Sequence, residues 1–152
     1  MLLILSWELR DNSFIMKQTI IIDRPPIYDR VAALFPIEGK AILFAWGDRI
    51  YNPTGIVVPK ELIAHELIHG ERQGTDEARI VAWWEKYLTD SQFRFDEELP
   101  AHKAEYLALV KRHSNKRVLY LDYVAEKLSA PLYGNMVTKK EAATAILMTR
   151  IA

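Results

Sequence analysis

The chain has 152 residues, 50% of them hydrophobic and 26% charged, which excludes wholesale disorder and suits one globular domain. Its 20 Lys and Arg balance 20 Asp and Glu, so no excess of charge draws it to nucleic acid or to an anionic membrane. The absence of cysteine excludes disulfides, thiol catalysis and cysteine-ligated zinc, and leaves four His with Asp and Glu to build any metal site.

At the N-terminus, the apolar run Leu2 to Leu5 is too short for a signal-peptide core, and Glu8, Arg10 and Asp11 follow where small residues would mark a cleavage site. Met16-Lys17-Gln18-Thr19 reads as a natural start. Met1 and Met16 therefore compete as the first residue, and residues 1–15 are either an upstream extension or an ordinary N-terminal strand. Thr19 to Ile22 is a β-branched run, stopped by Asp23-Arg24-Pro25-Pro26. Tyr28 to Phe35 reads as a short helix ended by Pro36, and Ala41 to Trp46 as a buried strand. Gly47-Asp48 turns the chain into Arg49-Ile50-Tyr51, and Asn52-Pro53-Thr54-Gly55 makes a second turn. Ile56 to Val58 is a short strand or extended segment, with Pro59 suited to the first position of a helix.

From Lys60 the pattern is helical. Helices are expected over Lys60 to Gln73, Asp76 to Leu88, Asp96 to His113 and Arg117 to Leu128, with Thr89 to Phe95 as a linker. Pro100 is expected near a first turn, where a missing amide costs nothing. Pro131 to Asn135 is a turn, and Thr138 with Glu141 forms a capping box for a last helix ending near Arg150. No stretch approaches the roughly 20 apolar residues of a membrane span. The layout is one α+β domain over residues 1–152, a small mixed or antiparallel sheet ahead of a helical body.

The chemistry lies in His65-Glu66-Leu67-Ile68-His69, an H-E-x-x-H match inside the first long helix. Residues four apart share a helical face, so both imidazoles can aim at one metal ion, and Glu66 lies where its carboxylate can take a proton from a water that zinc has acidified. Leu62, Ile63, Leu67 and Ile68 flank the motif and bury it, where two unpaired imidazoles would be costly. The third ligand has to come from the third long helix, which offers Glu97, Glu98, His102 and Glu105. Glu98 is the preferred ligand, because Glu98-Leu99-Pro100-Ala101 puts a small residue one turn on and lets two helices pack closely. Trp83 and Trp84 point to different helix faces, with at least one in the core. The basic run Lys111 to Arg117 reads as a helix end and a solvated loop.

His65 to Gln73, Trp84-Glu85-Lys86-Tyr87-Leu88, Phe93-Arg94 and Glu97-Glu98-Leu99-Pro100-Ala101 together resemble the zincin metallopeptidases of the gluzincin type, most of all small phage and prophage proteins of that kind. The resemblance implies zinc on His65, His69 and Glu98, Glu66 as general base, and a peptide or protein substrate. It also implies an edge strand that pairs with an extended peptide, with Ile50 to Val58 as the candidate. The expected location is the host-cell cytoplasm or the virion, and the balanced charge and the lack of a membrane span leave neither nucleic acid nor membrane as an expected partner. The chain departs from that pattern in having no second lobe. Its transition-state stabiliser is not fixed by spacing, with His102, Tyr106, His113 and Tyr133 as candidates. A related repressor-cleaving class continues to a third His where this chain has Gln73. The rival reading is a non-catalytic phage structural or interaction protein whose zinc site is structural or vestigial.

Overall fold

The computed structural model describes residues 18–151, so the readings placed on residues 1–15 and on Met16 lie outside the described residues. The fold is α+β. Three short strands, β1 (Thr19–Ile21), β2 (Phe44–Trp46) and β3 (Arg49–Tyr51), form a mixed sheet in the order β1-β3-β2, with β1 parallel and β2 antiparallel to β3. Helix α1 (Tyr28–Leu34) lies between the first two strands in sequence. The body consists of α2 (Lys60–Gln73), α3 (Glu77–Thr89), α4 (Ser91–Arg112), α5 (Arg117–Leu128) and α6 (Lys139–Met148), with single 3-10 turns at Ser114–Lys116 and Pro131–Tyr133. No helix among the described residues is long and apolar enough to cross a membrane.

Several predicted boundaries move, each for a local reason. The strand predicted from Ala41 begins only at Phe44, because Lys40 N–H bonds back to Ile37 and Ile42 N–H to Lys40. Ile56 to Val58 joins no strand; the Asn52 amide donates to the Ile56 carbonyl and closes the loop on itself, leaving Val57 94% exposed. Pro59 precedes α2 in extended backbone instead of opening its first turn.

The predicted linker from Thr89 to Phe95 is an error. Asp90 alone separates α3 from α4: its backbone N–H ends α3 on the Lys86 carbonyl, and its carboxylate accepts from Phe93 N–H to start α4. Pro100 therefore falls inside a 22-residue helix. It removes the amide that would reach the carbonyl of Asp96, a residue exposed enough for water to serve that carbonyl instead. The Thr138–Glu141 capping box forms as read.

Two larger cores flank the long helix. One joins α1, β2 and α3 through Val31, Phe44, Trp46, Ile80, Trp84 and Leu88. The other joins the second half of α4 to α5 and α6 through Tyr106, Leu109, Val124, Leu128 and Ile146. A small third cluster of Ile20, Leu43 and Ile50 sits under α2 residues Leu62 and Ile63. Helix α2 packs most extensively along α4, and that pairing creates the site.

Candidate metal centre

Helix α2 is docked by its own small and polar residues. A Cβ on Gly70 would lie 2.3 Å from the Gly47 carbonyl oxygen, so helix and β2–β3 turn meet backbone to backbone. One turn after His69, the buried Gln73 amide accepts from Gly47 N–H at 2.8 Å and donates to the Ala45 carbonyl at 3.2 Å. Trp84 Nε1 donates to the same carbonyl. These contacts fix the face of α2 that carries His65, Glu66 and His69, all three buried.

Helix α4 supplies the opposing carboxylate. His65 Nε2 and His69 Nε2 stand 3.2 Å apart, with Glu98 Oε2 3.4 Å from the first and Oε1 3.3 Å from the second. Tetrahedral zinc with bonds of about 2.0–2.1 Å needs its ligand atoms about 3.3 Å apart. The three side chains thus match the ion in type, and each imidazole nitrogen has one Glu98 oxygen at about that spacing. Glu98 Oε2 has no hydrogen bond among the described residues; His65 Nε2 at 3.4 Å and His102 Nδ1 at 3.3 Å are its charged or polar neighbours, which leaves a lone pair that a metal ion would satisfy. The other predicted candidates lie elsewhere. Glu97 is taken by Arg72, at 2.6 and 2.8 Å, and by Trp83 Nε1 at 2.9 Å. Glu105 faces the far nitrogen of His65, Oε2 to Nδ1 at 3.3 Å, and pairs with Lys127. His102 Nδ1 donates to the Glu98 carbonyl at 2.9 Å.

The charges are strongly coupled. Burial lowers the proton affinity of His65, but the Glu105 and Glu98 carboxylates outweigh it and hold the pKa up at about 10. Burial raises Glu98 and Glu105, yet the neighbouring imidazoles hold Glu98 well below the carboxylate range, and His65 with Lys127 brings Glu105 to about 2. Glu66 has the opposite balance: burial raises it, only partly offset by His65, His69 and the nearby Ala45 backbone amide. Burial lowers His102.

A cavity of about 160 Å³ is lined by His65, Glu66, His69 and Glu98 together with apolar residues of α1, β2 and the turn at Leu132. Tyr133 also lines it, half-buried. The Tyr133 hydroxyl is pushed up by burial and by Glu98 and Glu105, so it stays protonated. Arg94 pins the Tyr133 carbonyl with Nε and the Tyr87 carbonyl with a guanidinium nitrogen. The other proposed stabilisers are remote or closed off. Tyr106 lies in the α4–α6 core, His113 is exposed at the end of α4, and His102 is fully buried.

The expected edge strand is also corrected. Ile50 and Tyr51 belong to the central strand β3, and β2 is the edge beside the site. Sequence reasoning missed Tyr87, whose hydroxyl donates to Glu98 Oε1 at 2.5 Å; its place in the apolar stripe of α3 gave no separate signal. Trp83 and Trp84 are both buried, and the basic run from Lys111 is exposed with Arg112 paired to Glu61. Comparison with protein-family models, with curated proteins and with solved structures gives no match.

Proposed function

We propose that the protein is a zinc-dependent hydrolase, a minimal gluzincin-type metallopeptidase that cleaves a peptide or another amide bond. The observation that carries this reading is the convergence of His65, His69 and Glu98, with ligand atoms 3.2–3.4 Å apart, on a cavity that Glu66 also lines. His65, His69 and Glu98 would hold the ion, which when bound supplies a Lewis acid that polarises a carbonyl and acidifies water.

The chain's own residues do the rest. Glu66 takes a proton from the attacking water and passes it to the leaving amine, while the carbon–nitrogen bond breaks and the water oxygen joins the carbonyl carbon. Burial strengthens the hold of that carboxylate on the proton. Tyr133, protonated on the cavity wall, is the donor best placed for the developing oxyanion. Tyr87 steadies Glu98.

The apolar lining favours an apolar side chain beside the scissile bond. The Ala45 carbonyl is spent on Gln73 and Trp84. Leu43 precedes the edge strand β2 and lines the cavity, the place for an extended peptide to lie.

Metal analysis of protein purified without chelator or affinity tag tests the site. About one zinc per chain is expected in the wild type, lost in His65→Ala and Glu98→Ala. Glu66→Gln should keep the zinc and lose turnover by several orders of magnitude against a peptide library. Full activity in Glu66→Gln would remove Glu66 as the base. Bound zinc with no hydrolysis by the wild type would favour the non-catalytic reading.

A further inference from the structure

We propose that Glu105 is a positioning residue that orients His65 for the metal, and that Lys127 holds Glu105 in that role. This inference rests on the zinc reading above. An imidazole that offers Nε2 to a metal must carry its proton on Nδ1, and that proton needs an acceptor to fix the ring. His65 Nδ1 faces Glu105 Oε2 at 3.3 Å, an ion-pair distance, and neither atom has a hydrogen-bond partner among the described residues, so the carboxylate is the one acceptor beside that nitrogen. Glu105 is fully buried, where an uncompensated carboxylate would be costly.

Its second oxygen is taken by the Lys127 ammonium, which comes from α5. Lys127 also lines the cavity, with Nζ 5.5 Å from the centre of the Tyr123 ring. A chain of contacts thus runs from α5 through α4 to α2: Lys127, Glu105, His65 Nδ1, and Nε2 facing the cluster. His69 is held differently. No carboxylate pairs with its Nδ1 among the described residues, and its ring packs edge-on against Trp83. The orienting carboxylate therefore serves one histidine of the pair.

The same atoms admit two other uses. Glu105 could bind the primary ion directly, or His65, His102 and Glu105 could seat a second cation, since their ligand atoms also cluster. Lys127 argues against a second cation, because its ammonium already neutralises Glu105.

The test titrates metal-free, full-length protein with zinc against a chromophoric chelator. The cobalt(II) form is followed by its visible spectrum, and unfolding of each metal-free variant is measured separately. Glu105→Gln is expected to bind one zinc about 10–100-fold more weakly, with a shifted cobalt spectrum. Lys127→Met should weaken zinc in the same direction, and Lys127→Arg should restore it. A purely structural role would change unfolding and leave affinity and spectrum alone.

Wild-type affinity and spectrum in Glu105→Gln would overturn the proposal. If that variant does not fold, unchanged affinity in Lys127→Met would do so. Two zinc ions per chain, with one lost in His102→Ala, would replace it with a second cation site. Zinc lost from Glu105→Gln and kept in Glu98→Gln would make Glu105 a ligand. A wild type that takes up no zinc at all would overturn the metal reading itself, an outcome distinct from a wild type that binds zinc and a Glu105 variant that binds it equally well.

Discussion

His65 shows how far the charge state of the site depends on what it holds. Without metal its pKa near 10, above the ordinary 6.5, makes it a cation at neutral pH. That raised value adds stability to the metal-free fold below about pH 6.5, and the contribution is lost as pH rises through about 10. A metal ligand must be the neutral imidazole, so zinc uptake at pH 8 is expected to release about one proton from His65. Calorimetry in buffers of different ionisation enthalpy measures that number, and zero release would mean that His65 is already neutral. At this scale the sequence was informative where spacing alone decides geometry. The four-residue step from His65 to His69 determines that the two rings share a face. Choosing among Glu97, Glu98 and Glu105 required knowing how α4 turns against α2, and Arg72, Trp83 and Lys127, which occupy two of the three, come from other elements.

At the scale of elements, the α2 contact with the β2–β3 turn depends on having no side chain at Gly70. Gly70→Ala would force backbone apart, and is expected to cost about 1–3 kcal/mol or more in urea denaturation of the metal-free protein. Wild-type stability in that variant would show that the turn can yield. Gln73 carries a second lesson. In sequence it marked only a departure from a three-histidine pattern, whereas in the fold its amide bridges Gly47 and Ala45. A side chain that seals backbone groups of a distant turn has no periodic signal. The same holds for Asp90, whose two capping bonds shorten the predicted linker to a single residue. Helix periodicity was legible throughout, and what failed were the ends, which depend on such individual hydrogen bonds.

For the whole molecule, α4 is the shared wall of both larger cores, and the candidate ligands tie it to α2. Metal should therefore stabilise the global fold and not only the site. At a thousand times its dissociation constant, zinc contributes about 4 kcal/mol, equivalent to about 8–16 °C in melting temperature for a domain of this size. Addition of a strong chelator should lower the melting temperature by that order. An unchanged value would mean that the ion is not bound, or binds the unfolded chain equally well. The α+β order of a sheet followed by helices could be read from composition shifts along the chain. The sheet order could not, because each strand is only three residues long and its pairing is set by contacts with α2 and α3.

The saturated backbone carbonyl at Ala45 also bears on how copies of this protein behave together. An exposed strand edge is a template on which another chain can add, and growth of that kind leads to aggregation. Here the edge of β2 is stopped at the Ala45 carbonyl by Gln73 and Trp84, side chains that lie beside the site. A substitution that frees that backbone would disturb the candidate site and expose an adhesive edge at once. Loss of solubility at high concentration should therefore accompany weaker zinc binding in Gln73 and Trp84 variants.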